Sequence, residues 1–381
     1  MDMVFTEEQR LLVDSAREFL TERCSTAALR RLRAARDPLG YEPEAWRQMV
    51  ELGWTAIPFP ESMGGLEFGY RGLGAIFEQM GRTLATSPLL SSVVLGGSAL
   101  VLGGRPEQQA AQVPGLISGE RRLALAVDEG LRHDPAATAL AARPSCDDWV
   151  LDGDKVFVID GYGSDGLVVA ARSAGRPSER TGITLFLVDA RAPGVEVRPA
   201  SLLDSRNAAR VRLCGVRLGA DAVLGEVDAG WELLDAVLDR GRICLAAEML
   251  GIGQWLFDTT IAYLKTRVQF DVPIGSFQAL QHRAAWLYAE LALARSAVMA
   301  GLAAVEGPAE QRRLLVSLAK AKMGSVLEKI VGEAVQMHGG IGVTDELDVG
   351  LYLKRARVAR LALGDHDFHG HRYGQLVGLY G

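Results

Sequence analysis

The segment 267–281 combines an arginine, several amides and two phenylalanines, and reads Arg267-Val-Gln-Phe-Asp-Val-Pro-Ile-Gly-Ser-Phe-Gln-Ala-Leu-Gln281. An arginine at the end of one helix, followed by a turn and the Ser-Phe-Gln start of the next, offers a guanidinium group and main-chain N–H groups to a diphosphate. The same pattern is also typical of plain helix ends, where arginine favours the helix dipole and Gly-Ser forms a cap. From the residues alone both interpretations stay open, and the plain helix end is the more frequent.

The elements that must position this segment are long helices. After Gly230, apolar residues recur with a helical period through 231–266, 277–307, 309–337 and 347–361. Helices of this length normally pack as an antiparallel bundle. The sequence therefore predicts a C-terminal four-helix bundle domain over residues 230–381, with the segment 267–281 joining its first two helices.

The rest of the chain predicts two further domains. Residues 1–121 indicate an N-terminal α-helical domain, whose first helix runs from Thr6, a candidate N-cap, to about Arg33. Residues 122–229 hold short β-rich segments separated by turn signals, which is typical of a middle antiparallel β-barrel or sandwich. The predicted fold class is α+β. The predicted strands are 123–127, 149–151, 155–159, 166–171, 183–188, 195–199 and 209–213.

Composition excludes several classes of function. The net charge of −6 is spread along the chain without a basic block, which argues against nucleic acid as a partner. The four cysteines are far apart, as expected in a reducing cytoplasm, and the irregular spacing of His366, His369 and His371 predicts no metal site. The apolar stretch 88–104 is too short and too rich in Gly and Ser for a membrane span, so we expect a buried helix there.

Two motifs in order resemble the acyl-CoA dehydrogenase family. The segment 267–281 is similar to the family signature Arg-x-Gln-Phe-Gly-x-Pro-Ile-Gly-x-Phe-Gln-x-x-Gln, with Asp271 in place of the glycine. The segment Gln336-Met-His-Gly-Gly-Ile-Gly342 is similar to the family's Gln-x-x-Gly-Gly-x-Gly. Further likeness at 5–9, 60–65 and 246–251 extends the resemblance over essentially the whole chain.

The resemblance implies an FAD-dependent enzyme that desaturates an acyl-CoA thioester between its α and β carbons. In the family, one FAD is shared between two subunits, so the resemblance also implies that a lone chain binds FAD poorly. By this resemblance, the residues that bind the FAD diphosphate and adenosine are Arg267, Gln269, Phe270, Phe277, Gln278, Gln336, Gly339 and Gly340.

The catalytic carboxylate of the family is missing from both of its usual places. Leu363 stands where a Glu precedes Gly-Thr, and Gly241 stands where a Glu precedes the Arg of the first C-terminal helix. Asp365 is the candidate base, although a hydrogen bond to FAD ribose or to neighbouring backbone is its commoner role. Glu248 is expected to have a structural partner, because buried acids are nearly always paired. By its family position Arg242 approaches substrate or flavin; otherwise, a lone arginine on a helix is a surface residue.

A second departure concerns the flavin ring. The family's Thr-Glu-Pro-x-x-Gly-Ser loop appears here as 127–133, and its Trp-Ile-Thr contact appears as 157–159, so the hydroxyl donors are absent. The chain thus resembles the degenerate β subunits of actinobacterial heterotetramers, several of which act on steroid side-chain CoA thioesters. This resemblance implies a related partner chain that supplies the base, in a hetero- or homotetramer, and an electron-transfer flavoprotein as acceptor. A chain that is itself catalytic, and a related flavoenzyme such as an oxidase, are the alternatives.

Overall fold

A computed structural model describes residues 6–146 and 148–379, so Phe5 of the first family-like segment lies outside the described residues. The α-helices are α1 (Glu7–Arg23), α2 (Thr26–Ala35), α3 (Pro43–Glu51), α4 (Gly69–Thr83), α5 (Ser98–Gly103), α6 (Pro106–Ile117), α7 (Trp231–Thr266), α8 (Gln278–Ala304), α9 (Ala309–His338), α10 (Val349–Leu361) and α11 (His366–Leu376). The strands are β1 (Leu123–Ala126), β2 (Ala141–Ser145), β3 (Asp148–Ile159), β4 (Gly166–Arg172), β5 (Ile183–Asp189), β6 (Val195–Pro199), β7 (Ala208–Gly219), β8 (Val223–Leu224), β9 (Val268–Gln269) and β10 (Val272–Pro273).

The described residues form two compact units. The helical unit is drawn from Met1–Arg31, Tyr70–Ala85 and Arg242–Gly381, and the sheet unit from Leu32–Gly69 and Thr86–Gly241. Helices therefore precede and follow the sheet along the chain, and the predicted α+β fold class is confirmed. The boundaries predicted at 121/122 and 229/230 stay a prediction.

An eight-stranded sheet forms the core of the sheet unit. Its strands follow the order β6-β7-β3-β2-β4-β5-β8, and β1 pairs with β4. Most neighbours are antiparallel, as predicted, but β1 and β2 each pair with β4 in parallel. The sequence prediction missed β2 and β8, because Ala141–Ser145 contains a proline and β8 has only two residues.

The first N-terminal helix differs from the prediction in one place. Thr6 caps α1 as expected, its side chain accepting from the Gln9 N–H while the Gln9 side chain accepts from the Thr6 N–H. The single helix predicted from Thr6 to about Arg33 is wrong, because α1 ends at Arg23 and α2 starts at Thr26. Ser25 lies at this break and its carbonyl accepts from the Leu29 N–H. Serine favours helix starts over helix interiors, which explains the division.

The apolar stretch after Pro88 is buried and helical, as predicted. It is π-helical over Leu89–Gly97 and becomes the α-helix α5 at Ser98. Every residue of the π-helical part is buried. The following α6 was missed by the sequence prediction, because Pro114 lies inside it and large apolar residues are few.

The C-terminal bundle has the predicted helices, with ends close to the predicted ones, and continues into α11. Helix α9 packs against α8, α10 and α11. Helix α4 crosses α7 at a pair of glycines: a Cβ on Gly81 would lie 2.0 Å from the Glu248 carbonyl oxygen, and one on Gly251 would lie 1.9 Å from that of Glu78. The two backbones therefore touch, which only glycine permits.

Helix α8 is, by length and composition, the one helix in the described part of the chain that could cross a membrane. Its buried side carries Leu287, Leu291 and Val298 at helical spacing, toward the bundle. Its other side exposes aromatic and aliphatic residues, among them Trp286 and Tyr288. It is therefore a bundle helix with a second apolar face.

Candidate functional site

The signature segment begins with a two-residue hairpin after α7. Strands β9 and β10 pair antiparallel with Gln269 opposite Val272, which leaves Phe270 and Asp271 as the turn. Both turn residues have left-handed backbone, with φ of 55° and 63°. A type I′ turn requires this geometry and favours glycine at its second position, where the family signature has Gly and this chain has Asp271. The Phe270 ring is 87% exposed at the tip.

The start of α8 is less regular than the sequence suggested. Phe277 is the N-cap residue and no side chain caps the helix. The Ser276 hydroxyl donates instead to the Pro273 carbonyl oxygen at 2.8 Å, so the Ser-Phe-Gln segment does not form a side-chain cap. The rings of Phe270 and Phe277 meet edge to face with centroids 6.1 Å apart. The segment thus presents an aromatic pair beside uncapped main-chain N–H groups.

The second motif lies at the C-terminal end of α9. Gln336 is exposed, and Gly339 ends the helix with φ of 64°. No atom lies within 4 Å of a Cβ built on Gly339 or Gly340, so their backbone faces open space. The Tyr263 and His338 rings, 4.4 Å apart, pack the end of α7 against the end of α9. The fold therefore brings the two motifs to neighbouring helix ends.

The residues with predicted FAD contacts all belong to the helical unit and are exposed. A guanidinium group, side-chain amides and uncapped main-chain N–H groups suit a diphosphate, and exposed rings suit a purine face. This donor set fits the diphosphate and adenosine of FAD. Arg267, Gln269, Phe270, Phe277 and Gln278 from the first motif, and Gln336, Gly339 and Gly340 from the second, would hold it.

The turn between α10 and α11 occupies the place of the family's base. Leu363 is 7% exposed and has left-handed backbone with φ of 58°. Its carbonyl oxygen accepts from Arg242 Nε at 3.2 Å and from His369 Nε2 at 3.0 Å. The Arg242 guanidinium also lies 5.5 Å from the centroid of the Phe368 ring. The turn is therefore held through its main chain.

Lys320 of α9 binds the end of α10 and the same turn. Its ammonium group donates to the carbonyl oxygens of Ala359, Arg360 and Gly364 at 3.3, 3.2 and 2.8 Å. Burial, followed by the nearby charge of Arg242, lowers the pKa of Lys320 to about 7. A cation at the C-terminal end of a helix satisfies carbonyl groups that have no intrahelical donor.

The candidate acids are used structurally. Asp365 is the N-cap of α11, its Oδ1 accepting from the Phe368 N–H at 2.8 Å, which is the backbone role expected as its alternative. Glu248 lies 3.3 Å from Arg355, with the two side chains 1% and 0% exposed, so the expected partner is confirmed. Arg242 is 1% exposed, and the surface alternative for it is wrong. The catalytic role of Asp365 and the substrate role of Arg242 stay predictions.

In the sheet unit, the loop that corresponds to the family's flavin loop is tied to its own strands. The Glu129 carboxylate accepts from the Ala139 and Leu140 N–H groups, both within 3.1 Å, and lies 2.6 Å from Lys155 Nζ. Lys155 is fully buried, which lowers its pKa, and also donates to the Val127 carbonyl oxygen at 2.8 Å. The loop's polar groups are thus engaged within the unit.

The neighbouring strand carries a bulge at the position of the family's Trp-Ile-Thr contact. The register of β3 with β7 shifts between Lys155 and Val158. Phe157 lies within this bulge with φ of 53°, an outlier for an aromatic residue. A bulge re-aims the side chain it contains, so the structure places a ring where the family signature also has one.

Sequence reasoning did not single out Lys320, Lys155 or Glu129, and treated His369 only as a possible metal ligand. One signal for Lys320 was present: it lies four residues from Val316 and three from Met323, on the buried face of α9. A lysine on an apolar helical face indicates a buried partner. Spacing alone contained no comparable signal for His369.

Comparison with known families assigns the whole fold. The chain matches the acyl-CoA dehydrogenase N-terminal domain over residues 6–120, the middle domain over 126–214 and the C-terminal domain over 228–374. The chain therefore belongs to the acyl-CoA dehydrogenase family, whose members are FAD-dependent oxidoreductases.

Individual relatives and solved structures agree with this family membership. The chain is similar to acyl-CoA dehydrogenase FadE12 of Mycobacterium tuberculosis, with 31% identity over 84% of each chain. It is similar to a solved structure of a variant of the Tcur3481–Tcur3483 steroid ACAD, with 30% identity, 98% of each chain covered and a TM-score of 0.86. It is also similar to a chain of the solved ChsE4–ChsE5 complex from Mycobacterium tuberculosis. The identity is 27%, the match covers 100% of this chain and 100% of that chain, and the TM-score is 0.87.

Proposed function

We propose that this chain is a subunit of an FAD-dependent acyl-CoA dehydrogenase that supplies half of an FAD site, while a related partner chain supplies the catalytic base. The observation that carries the proposal is the α10–α11 turn. Leucine replaces the carboxylate at position 363, and the carbonyl oxygen of that residue is occupied by Arg242 and His369. Glu248, a buried carboxylate of α7, is paired with Arg355.

The reaction explains why the base cannot be dispensed with. Desaturation removes a proton from the thioester α-carbon and a hydride from the β-carbon, and FAD when bound supplies the hydride acceptor. An α-C–H group is weakly acidic, so a carboxylate must be positioned directly against it. In this chain the turn is held by basic side chains instead, which leaves the proton-accepting step to the partner.

The exposed apolar surface supports an assembled state. Val268, Phe270 and Val272 of the hairpin are 52%, 87% and 37% exposed, and Trp286 and Tyr288 of α8 are 45% and 65% exposed. Surfaces of this kind on soluble proteins commonly mark interaction sites. We propose that a related acyl-CoA dehydrogenase chain covers this surface in a heterotetramer and shares FAD across it.

The substrate proposed is an acyl-CoA thioester, and more narrowly a steroid side-chain CoA thioester. Its support is the similarity, at 30% identity over nearly the whole chain, to the steroid ACAD variant. An electron-transfer flavoprotein is the proposed acceptor, on the family resemblance alone. A cytoplasmic location is proposed from the wide separation of the four cysteines.

The test is the FAD content and native mass of the full-length chain, purified alone and co-expressed with a related chain encoded next to it. We expect little FAD on the lone chain, and stoichiometric FAD with acyl-CoA-dependent bleaching only in the co-expressed complex. A homo-oligomer that holds about one FAD per subunit and bleaches with acyl-CoA would overturn the half-site proposal.

A matched pair of variants tests the site itself. Arg267→Gln removes the guanidinium group at the proposed diphosphate site and should lower FAD retention in the complex at least tenfold. Arg143→Gln removes an exposed arginine of the sheet unit that pairs with Asp152, and should leave FAD retention unchanged. Equal retention in both variants would remove Arg267 from the FAD site.

A further inference from the structure

Asp271 forms the tip of the β9–β10 hairpin together with Phe270. Its backbone is left-handed with φ of 63°, and the residue is exposed. Aspartate adopts this backbone at less cost than most residues, because its short polar side chain can hydrogen-bond locally. The family signature has a glycine at the same position. This chain therefore keeps the turn and adds a carboxylate at its tip.

The hairpin also carries a cation, but the cation does not neutralise this carboxylate. Arg267 lies at the base of the hairpin, where its carbonyl oxygen accepts from the Ile274 N–H at 2.8 Å, and Asp271 lies at the tip. No ion pair joins the two side chains, and neither has another side-chain partner within residues 6–146 and 148–379. The hairpin thus presents a cation and an anion at its opposite ends.

The two side chains bind opposite kinds of group. A guanidinium group only donates hydrogen bonds and suits a diphosphate, whereas an ionised carboxylate only accepts them. A diphosphate has no hydrogen to donate to Asp271 and repels its charge. The adenosine of FAD has ribose hydroxyl groups beside the diphosphate, and a carboxylate binds such hydroxyl groups in dinucleotide-binding folds. The ribose therefore fits Asp271, and the diphosphate does not.

The surroundings of Asp271 are apolar. Phe270 and Val272, its neighbours in the chain, are 87% and 37% exposed, and the Phe270 ring meets the Phe277 ring at the start of α8. A ligand that covers these residues also removes water from the carboxylate, which then needs hydrogen-bond donors in its place. A purine that stacks on the exposed rings is covalently joined to the ribose, so one ligand supplies both the ring and the donors.

We infer that Asp271 is a further FAD-binding residue of this chain, and that its carboxylate accepts hydrogen bonds from the adenosine ribose hydroxyl groups. The inference rests on the proposed half-site function and deepens it. Arg267 at the base of the hairpin binds the diphosphate, Phe270 binds the purine face, and Asp271 binds the ribose. The residue that replaces the signature glycine then makes the site selective for a ribose hydroxyl group.

The test is equilibrium binding of FAD and of two FAD analogues, one without the adenosine 2′-hydroxyl and one without the 3′-hydroxyl. Flavin fluorescence reports binding to the assembly that holds FAD, after its own flavin has been removed. With the natural chain, we expect at least one analogue to bind about tenfold more weakly than FAD. Asp271→Gly keeps the turn and removes the carboxylate, so it should bind FAD about tenfold more weakly and no longer distinguish that analogue from FAD.

Two further variants serve as controls. Asp271→Asn keeps an acceptor oxygen and should lose less FAD affinity than Asp271→Gly. Glu310→Ala removes an equal exposed charge at the start of α9, at the opposite end of that helix from the second motif, and should change neither FAD affinity nor discrimination.

Three results would overturn the inference. A natural chain that binds FAD and both analogues equally does so without any variant. Equal or tighter FAD binding by Asp271→Gly would show that repulsion of the diphosphate dominates. Unchanged discrimination in Asp271→Gly, with weaker association of the chains, would assign Asp271 to a cation of the partner. The FAD content of the lone chain decides the half-site proposal separately, because this comparison is made on a co-expressed complex or a homo-oligomer alike.

Discussion

Arg242 donates a hydrogen bond from Nε to the carbonyl oxygen of Leu363 across 3.2 Å. These residues mark the two places at which the family carries its carboxylate, since Arg242 directly follows Gly241 and Leu363 replaces the glutamate of the last turn. The contact joins the arginine that follows the first position to the main chain of the second. The turn that lacks the carboxylate is therefore held through its main chain by a side chain of α7.

Breaking the buried pair Glu248–Arg355 should be costly. Glu248→Gln removes the negative charge that lies 3.3 Å from the fully buried Arg355, so we expect the free energy of unfolding to fall by about 3–5 kcal/mol in urea denaturation. Glu328→Gln is the control, because Glu328 pairs with Arg360 while 53% exposed, and should cost less than about 1 kcal/mol. Equal losses in the two variants would show that burial of the pair is unimportant.

Phe270 should be a residue whose removal stabilises the chain and harms its function. Its ring is 87% exposed while its backbone is left-handed, a conformation that asparagine tolerates better than phenylalanine. Phe270→Asn should therefore raise the free energy of unfolding by up to about 1 kcal/mol, and lower FAD retention in the co-expressed complex. Asp271→Asn is the control, because it changes the other turn residue and keeps the Phe270 ring. Unchanged FAD retention in Phe270→Asn would remove the ring from the site.

Two glycine-to-alanine changes in helices of the bundle should have opposite signs. At Gly251 a Cβ would lie 1.9 Å from the carbonyl oxygen of Glu78, so Gly251→Ala should cost about 3 kcal/mol or more by separating α4 from α7. At Gly332 no atom lies within 4 Å of the added Cβ, so Gly332→Ala should stabilise by about 0.5–1 kcal/mol. Thermal and urea denaturation measure both, and a loss at Gly332 contradicts this account of α9.

The free energy of unfolding should increase with pH through two groups. Burial lowers the pKa of His369 well below its usual value, so the unfolded chain takes up a proton first as the pH falls below 6.5, and stability is lost there. The pKa of Lys320 is lowered to about 7, so stability also rises with pH from about 7 toward the ordinary lysine value of 10.5. Urea denaturation from pH 5.5 to 9 should show both parts.

His369→Gln keeps a side-chain donor for the Leu363 carbonyl oxygen but does not titrate, and should flatten the acidic part of this dependence. Lys320→Met should flatten the part above pH 7. An acid loss of stability that is as steep in His369→Gln as in the natural chain would assign it to other groups.

The order of helices and strands could be predicted because it depends on local periodicity. Helices α7 to α10 repeat apolar residues at a helical period, and strands β4 and β5 are short, largely apolar runs. Strand β3 was predicted as two strands, 149–151 and 155–159, but is continuous over Asp148–Ile159. The prediction missed the break at Ser25, because a serine that favours a helix start outweighs the apolar pattern around it. It missed strand β2 because the strand contains a proline. The residues with predicted FAD contacts came from two motifs. Their neighbouring positions at the ends of α7 and α9 depend on the packing of Tyr263 on His338.

The sequence by itself determined that the usual carboxylate is absent, since Leu363 and Gly241 are visible in the printed chain. Only the tertiary structure decided what replaces it. Arg242 and Lys320 meet the turn from helices about 120 and 40 residues away in the chain. A buried polar group needs a hydrogen-bond partner. The sequence does not indicate which residue that partner is, because the packing of separate helices determines it.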